Sequence, residues 1–170
     1  MSDLSYSPPL RAGPRPRTDL RLPHTQIDQL APHPLRRQLS LAMLEALSRL
    51  GDVSIGHSLR APPGTLGLFL DPGCGCGGER AFLLGREFAH VHIEDDGSLH
   101  ATIAEPLRTK AMEAGWAEPH PIAGQPTVSP DTVMIYAPRD EQEAHVIVNL
   151  VTSSWANARG EEMVESQGQS

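Results

Sequence analysis

Four of the eight histidines in this 170-residue chain, His90, His92, His100 and His120, fall within 31 residues. Imidazole changes charge near neutrality and serves as a general base or a metal ligand, so their grouping is the first chemical signal. Side chains alternate along a strand, which puts His90 and His92 on one face. Glu94-Asp95-Asp96-Gly97 separates two strand-like runs, Arg86–Ile93 and Ser98–Ile103, and reads as a hairpin turn. A three-residue loop, Asp95-Asp96-Gly97, sets His92 opposite His100 and His90 opposite Thr102. A two-residue Asp96-Gly97 turn sends His100 to the other face. The three-residue loop is favoured because it gathers the polar side chains. Three readings of the cluster remain open. It is a His-rich sheet face, a site for iron, copper or zinc, or a pocket in which one histidine is the base and its neighbours orient a substrate.

Three other stretches carry chemistry-bearing residues. In Trp116-Ala117-Glu118-Pro119-His120-Pro121, prolines on both sides of His120 restrict its backbone, while Trp116 either walls a site or plugs the core. Tyr136-Ala137-Pro138-Arg139-Asp140 joins a strand to a helix and either presents Arg139 to an anionic oxygen or pairs it with Glu87 or Asp140. Gly73-Cys74-Gly75-Cys76-Gly77-Gly78 has the letters of a dinucleotide-binding turn, but strand-like residues follow it where a helix is needed. Its two thiols are too few for a zinc site and close no long loop.

The elements that position these residues are legible in part. Residues 1–33 hold six prolines and scattered apolar residues, which predicts a disordered Pro/Arg-rich arm. Pro34 opens a helical pattern through Leu35, Leu39, Ala42, Met43, Ala46, Leu47 and Leu50, stopped by Gly51. Strand-like runs follow at Val53–His57, Thr65–Leu70 and Ala81–Leu84, ahead of the hairpin. Pro106 starts a second helix through Leu107, Ala111 and Met112 to Gly115. A strand at Thr132–Ala137 precedes a third helix, in which Asp140 with Glu143 resembles a capping box and Ala144, Ile147, Val148, Val151 and Trp155 form one stripe. The expected fold is a single-domain α+β sandwich, an antiparallel sheet with helices on one face, over residues 34–159, with a polar tail at 160–170.

Composition bounds the partners. Six of the fourteen basic residues lie within residues 1–37 against three acids, so the remainder is strongly acidic and is expected to repel nucleic acid. No apolar run approaches the roughly 20 residues of a membrane helix, and the first thirty lack a signal-peptide centre. These features predict a cytoplasmic protein with a small-molecule substrate, and with neither a nucleic-acid nor a membrane partner.

Arg86-Glu87-Phe88-Ala89-His90-Val91-His92, Ser98-Leu99-His100, Gly115-Trp116-Ala117-Glu118-Pro119-His120-Pro121-Ile122-Ala123-Gly124 and Tyr136-Ala137-Pro138-Arg139-Asp140-Glu141 together resemble, in order and spacing, the fungal luciferase family and its bacterial luciferase-like relatives. The resemblance spans about residues 80–158. It implies oxidation of a 3-hydroxylated 2-pyrone by O₂ with loss of carbon dioxide, using no organic cofactor. A base must then deprotonate the substrate hydroxyl so that an enolate can meet O₂. The resemblance assigns His90, His92, His100, Arg86 and Glu87 to the catalytic set, with Arg86 and Arg139 stabilising anionic oxygen. Trp116, His120, Tyr136 and Arg139 form the substrate-binding set, and Trp116 stacks on the ring. A metal-dependent oxygenase using the same histidines and a non-catalytic small-ligand-binding module are the competing expectations.

Overall fold

The structure, a computed structural model, describes residues 6–74 and 77–161. Chain order is β1 (Thr18–Asp19), β2 (Thr25–Gln26), α1 (His33–Ser48), β3 (Val53–His57), β4 (Leu66–Leu70), a 3₁₀ turn (Glu79–Ala81), β5 (Glu87–Val91), β6 (Leu99–Thr102), α2 (Leu107–Glu113), β7 (Ala117–Pro119), β8 (Thr132–Ile135) and α3 (Glu141–Ala158). β1 and β2 form a small hairpin. The other strands make one antiparallel sheet in the order β3-β4-β5-β6-β8-β7. The fold is α+β, as expected.

Helix α3 starts where the sequence marks it. The Asp140 carboxylate accepts from the Glu143 N–H at 2.9 Å and satisfies one of the free amides of the first turn. Ile147, Leu150 and Val151 are fully buried from there on, and α3 packs against α1, β5 and β6. Each such side chain contributes roughly 1.5–3 kcal/mol by leaving water. In α1 the buried stripe is Leu39, Met43, Leu44 and Leu47. Leu35 and Ala42, both expected inside, face out, because the stripe turns about the helix by one position.

Several local expectations change. Ala81–Leu84 is no strand. It is the end of the 3₁₀ turn followed by a Leu84–Glu87 bridge around Gly85, whose positive φ of 57° makes a tight reversal there. Within the stretch around His120, Ala117–Pro119 forms the edge strand β7. Of the glycine-rich stretch, Gly75 and Cys76 lie outside the described residues, as do 162–170 of the tail.

The larger correction concerns the arm. Over its described residues the amino-terminal segment lies against the domain, held by polar bonds that a hydrophobic pattern does not reveal. The Asp96 carboxylate accepts from the Gln26 N–H at 2.7 Å, and the Gln26 side-chain oxygen accepts from the Ala137 N–H at 2.8 Å. The Trp116 indole donates to the Pro9 carbonyl, and Arg139 donates to the Ala12 carbonyl. This segment carries a fifth histidine, His24, onto the sheet face opposite the helices.

Candidate functional site

The hairpin decides where the histidines point. His90 pairs with His100 and Val91 with Leu99, and the connection from Ile93 to Gly97 is longer than the expected loop. Gly97 takes φ 78°, with the Arg36 side chain close over it. The register is two residues from the expected one, an even shift, so His90, His92 and His100 still share a face. Their ring centroids lie 4.8–5.1 Å apart.

Glu87 reaches that face by an irregularity. In a regular strand, residues three apart point to opposite sides. Between Leu68 and Phe69 the β4–β5 register slips by one, the geometry of a β-bulge, and Glu87 turns toward His90. Its Oε1 accepts from His90 Nδ1 at 2.9 Å and from the Ser58 hydroxyl at 2.6 Å, while Oε2 accepts from the Leu59 N–H at 2.9 Å. Gly67 makes the room, since a Cβ there would stand 3.0 Å from Glu87 Oε1 and 2.8 Å from the Phe69 ring. Gly67→Ala is therefore expected to cost about 1–3 kcal/mol by overpacking and to displace Glu87. Chemical denaturation checks the first effect. The ¹H shift of the His90 Nδ1 proton, which should lose its charge-assisted position, checks the second.

These partners assign the tautomers. His90 donates Nδ1–H to Glu87, so its Nε2 accepts from His100 Nδ1–H at 3.0 Å. That leaves His100 Nε2 with a bare lone pair, buried and without a partner. His92 Nδ1 donates to the Ser98 hydroxyl at 2.9 Å, which donates to Asp96 at 2.7 Å. His24 Nε2 donates to Glu118 Oε1 at 2.6 Å, Glu118 Oε2 accepts from the Tyr136 hydroxyl at 3.0 Å, and His24 Nδ1 is the second buried nitrogen left without a partner. Three buried or half-buried carboxylates thus orient three imidazoles, two directly and one through a serine.

The electrostatics favour the neutral imidazole at His90, His100 and His120. Burial, then the neighbouring imidazoles, hold His100 well below the ordinary histidine value. Burial lowers His90 against the opposing pull of Glu87. His120 is drawn down to about 4, first by burial and then by the charges of its histidine neighbours. Burial by itself would raise Glu87 and Asp96, but the hydrogen bonds they accept outweigh it and keep both below the usual carboxylate range. Tyr136 is pushed up to about 12 by burial and by Glu118.

The face opens into a cavity of about 570 Å³, in the size range of small-ligand sites. Leu22, Leu83, Leu84, Ile122 and Val128 give it apolar walls, and Glu87, His24, His90, His92, His100 and His120 give it a polar floor. Among the described residues lining it, Arg60 is the one cation; its guanidinium donates to Thr127 at 3.1 Å.

Four of the nine expected residues take other positions. The Arg86 guanidinium donates to the carbonyls of Leu70, Asp71 and Cys74 and braces the turn after β4. Arg139 forms a two-point pair with Glu143 at 2.8 Å, rather than with Glu87 or Asp140. Trp116 is buried in the core and bonded to Pro9, so it plugs rather than walls. Tyr136 stands behind Glu118 and acts on the site through it. Sequence reasoning missed His24, Asp96 and Arg60. For His24 the available signal was a Pro-His pair, Pro23-His24, of the kind that marks Pro119-His120.

Comparison with known proteins finds similarity over one part of the chain. Residues 85–154 match the family model described as Luciferase domain. The luciferase of Neonothopanus nambi is 38% identical over 71 residues, which cover 41% of this chain and 27% of that protein. The luciferases of Armillaria gallica and Armillaria mellea are each 37% identical over 71 residues, with the same coverage of 41% and 27%. The match thus spans about a quarter of the length of these curated relatives. No solved structure matches the chain. The matched region contains Glu87, His90, His92, Asp96, His100, Glu118 and His120, whereas His24 and Arg60 precede it. Over residues 85–154 the chain is thus similar to the Luciferase domain and to these fungal luciferases.

Proposed function

We propose that the cavity binds a planar, enolisable hydroxylated ring of the 2-pyrone kind and oxygenates it with O₂, without an organic cofactor. The observation that carries this reading is the directed chain from Glu87 through His90 to His100, which ends in an unpartnered buried nitrogen. His100 Nε2 takes the hydroxyl proton of the substrate. The positive charge that results is shared back through His90 to Glu87, the logic by which a carboxylate supports a catalytic imidazole. The ring is left as an electron-rich enolate, whose carbon forms a C–O bond to O₂. Breakdown of that peroxide expels carbon dioxide. Arg60 at the rim faces the negative oxygen, the part first expected of Arg86 and Arg139. The apolar walls exclude water, which strengthens these charges and protects the peroxide.

The test is O₂ uptake by protein free of affinity tags, given 3-hydroxyhispidin and simpler hydroxypyrones, with chelator present and light recorded in parallel. Uptake is expected to persist under chelation. His100→Ala is expected to lower it by about 10²–10⁴-fold, the usual worth of a positioned base, with an unchanged circular dichroism spectrum. Absence of uptake with every pyrone, or full uptake in the His100 variant, overturns the reading.

A further inference from the structure

Among the described residues the two buried side-chain nitrogens that lack partners, His24 Nδ1 and His100 Nε2, lie on stacked rings whose centroids are 5.5 Å apart. His120 stands edge-on to both, at 5.3 and 4.7 Å. His24 is 1% exposed and His100 6%. One nitrogen from each of the three lies within 4.8 Å of the others. We propose that His24, His100 and His120 form a binding site for a divalent transition metal ion of the zinc kind. The inference goes beyond the oxygenase reading and needs no turnover for its test.

Burying an imidazole nitrogen with no partner costs free energy, and two such atoms side by side are explained when one occupant serves both. Two nitrogens bound to one tetrahedral ion at zinc–nitrogen distances stand roughly 3.4 Å apart, so small ring rotations close the set from its present spread. His24 already has the outer partner that metal-ligating histidines need. Its Nε2–H donates to Glu118, which fixes the tautomer and aims Nδ1 inward, and the Tyr136 hydroxyl holds Glu118 in turn. A second set, His90, His92 and His100, is equally close. There, however, a proton already bridges His90 Nε2 and His100 Nδ1 at 3.0 Å, and an ion would have to break that bond, whereas in the first set only the longer 3.3 Å bond from the Ile122 N–H to His120 Nδ1 must give way. All-imidazole donors favour zinc and its neighbours over magnesium or calcium. A fourth position faces the cavity. An ion on His100 Nε2 also takes the lone pair assigned to the substrate proton, so the loaded and the proton-accepting pocket are alternative states.

The test is calorimetric titration of the tag-free, chelator-stripped full chain with zinc chloride, alongside the visible absorption of its cobalt(II) form. One equivalent is expected, with an intense tetrahedral cobalt spectrum. His24→Ala and His120→Ala should each weaken binding by at least 100-fold, Glu118→Gln by about 10–100-fold through loss of the outer partner, and His92→Ala by little. No saturable one-to-one binding overturns the proposal. So does binding that survives in the His24 and His120 variants, or that is lost only with His92. Because O₂ uptake is measured under chelator, failure of the zinc titration leaves that assay untouched, and failure of uptake leaves the titration standing.

Discussion

Glu87→Gln is expected to abolish most turnover while leaving the fold in place. The carboxylate accepts three hydrogen bonds: from Leu59 N–H at Oε2, and from the Ser58 hydroxyl and His90 Nδ1 at Oε1. A glutamine keeps its oxygen toward Leu59, whose N–H can only donate, so its NH₂ group takes the Oε1 position. An NH₂ cannot face Nδ1–H. His90 therefore moves its proton to Nε2, which now donates to His100 Nδ1, and His100 must carry its own proton on Nε2. The whole relay reverses, and the lone pair in the cavity becomes a donor. Apart from His100 Nε2, which lacks a partner in either arrangement, every group keeps one, so stability should fall by only about 1 kcal/mol. Turnover of a hydroxypyrone should fall by about 10⁴-fold, the scale seen when the carboxylate of a catalytic triad becomes an amide. Imidazole ¹⁵N shifts report the reversal independently of activity, and an unprotonated His100 Nε2 in the variant refutes the argument.

That chain of dependence also shows what a sequence can and cannot display. The parity of His90, His92 and His100 follows from strand alternation, and any even shift of the hairpin preserves it; the register found differs by such a shift. The resemblance names Glu87, but the same rule of alternation puts it on the other face. It stands an odd number of residues from His90, and only the slip beside Leu68 and Phe69 brings it round. His24 is hidden for another reason. It lies in a segment whose attachment depends on single bonds such as Gln26 to Asp96 and Trp116 to Pro9, and neither leaves a periodic trace. Charged residues mislead in the opposite direction. Arg86 and Arg139 sit in the blocks that resemble the luciferases, yet their guanidinium groups are spent on backbone carbonyls and on Glu143. A sequence shows which residues carry chemistry, not which of them the backbone has already claimed.

Acid is expected to destabilise this protein in two separable stages, and the first belongs to the pocket. His90 and His100 titrate below the ordinary histidine value of 6.5, and His120 at about 4. In the unfolded chain the same imidazoles take up protons near 6.5. Below that pH the unfolded state binds more protons than the folded one, so the stability toward unfolding falls as pH falls. For His120 the loss continues until its folded value near 4 is reached. The carboxylates act later. Glu87, Asp96 and Glu118 are held below their ordinary values, so their stabilisation is complete above about pH 4.5 and is lost only beneath it. Denaturation in urea under chelator should therefore give a midpoint that is level from pH 8 to 7, declines from 6.5 to 4.5, and drops more steeply below. Replacing His100 with Asn removes one such imidazole and should flatten the first decline while leaving the second. A midpoint that is constant or rising between pH 6.5 and 4.5 would mean that the histidines are charged in the folded protein. The lone pairs that both the oxygenase and the zinc readings require would then be absent.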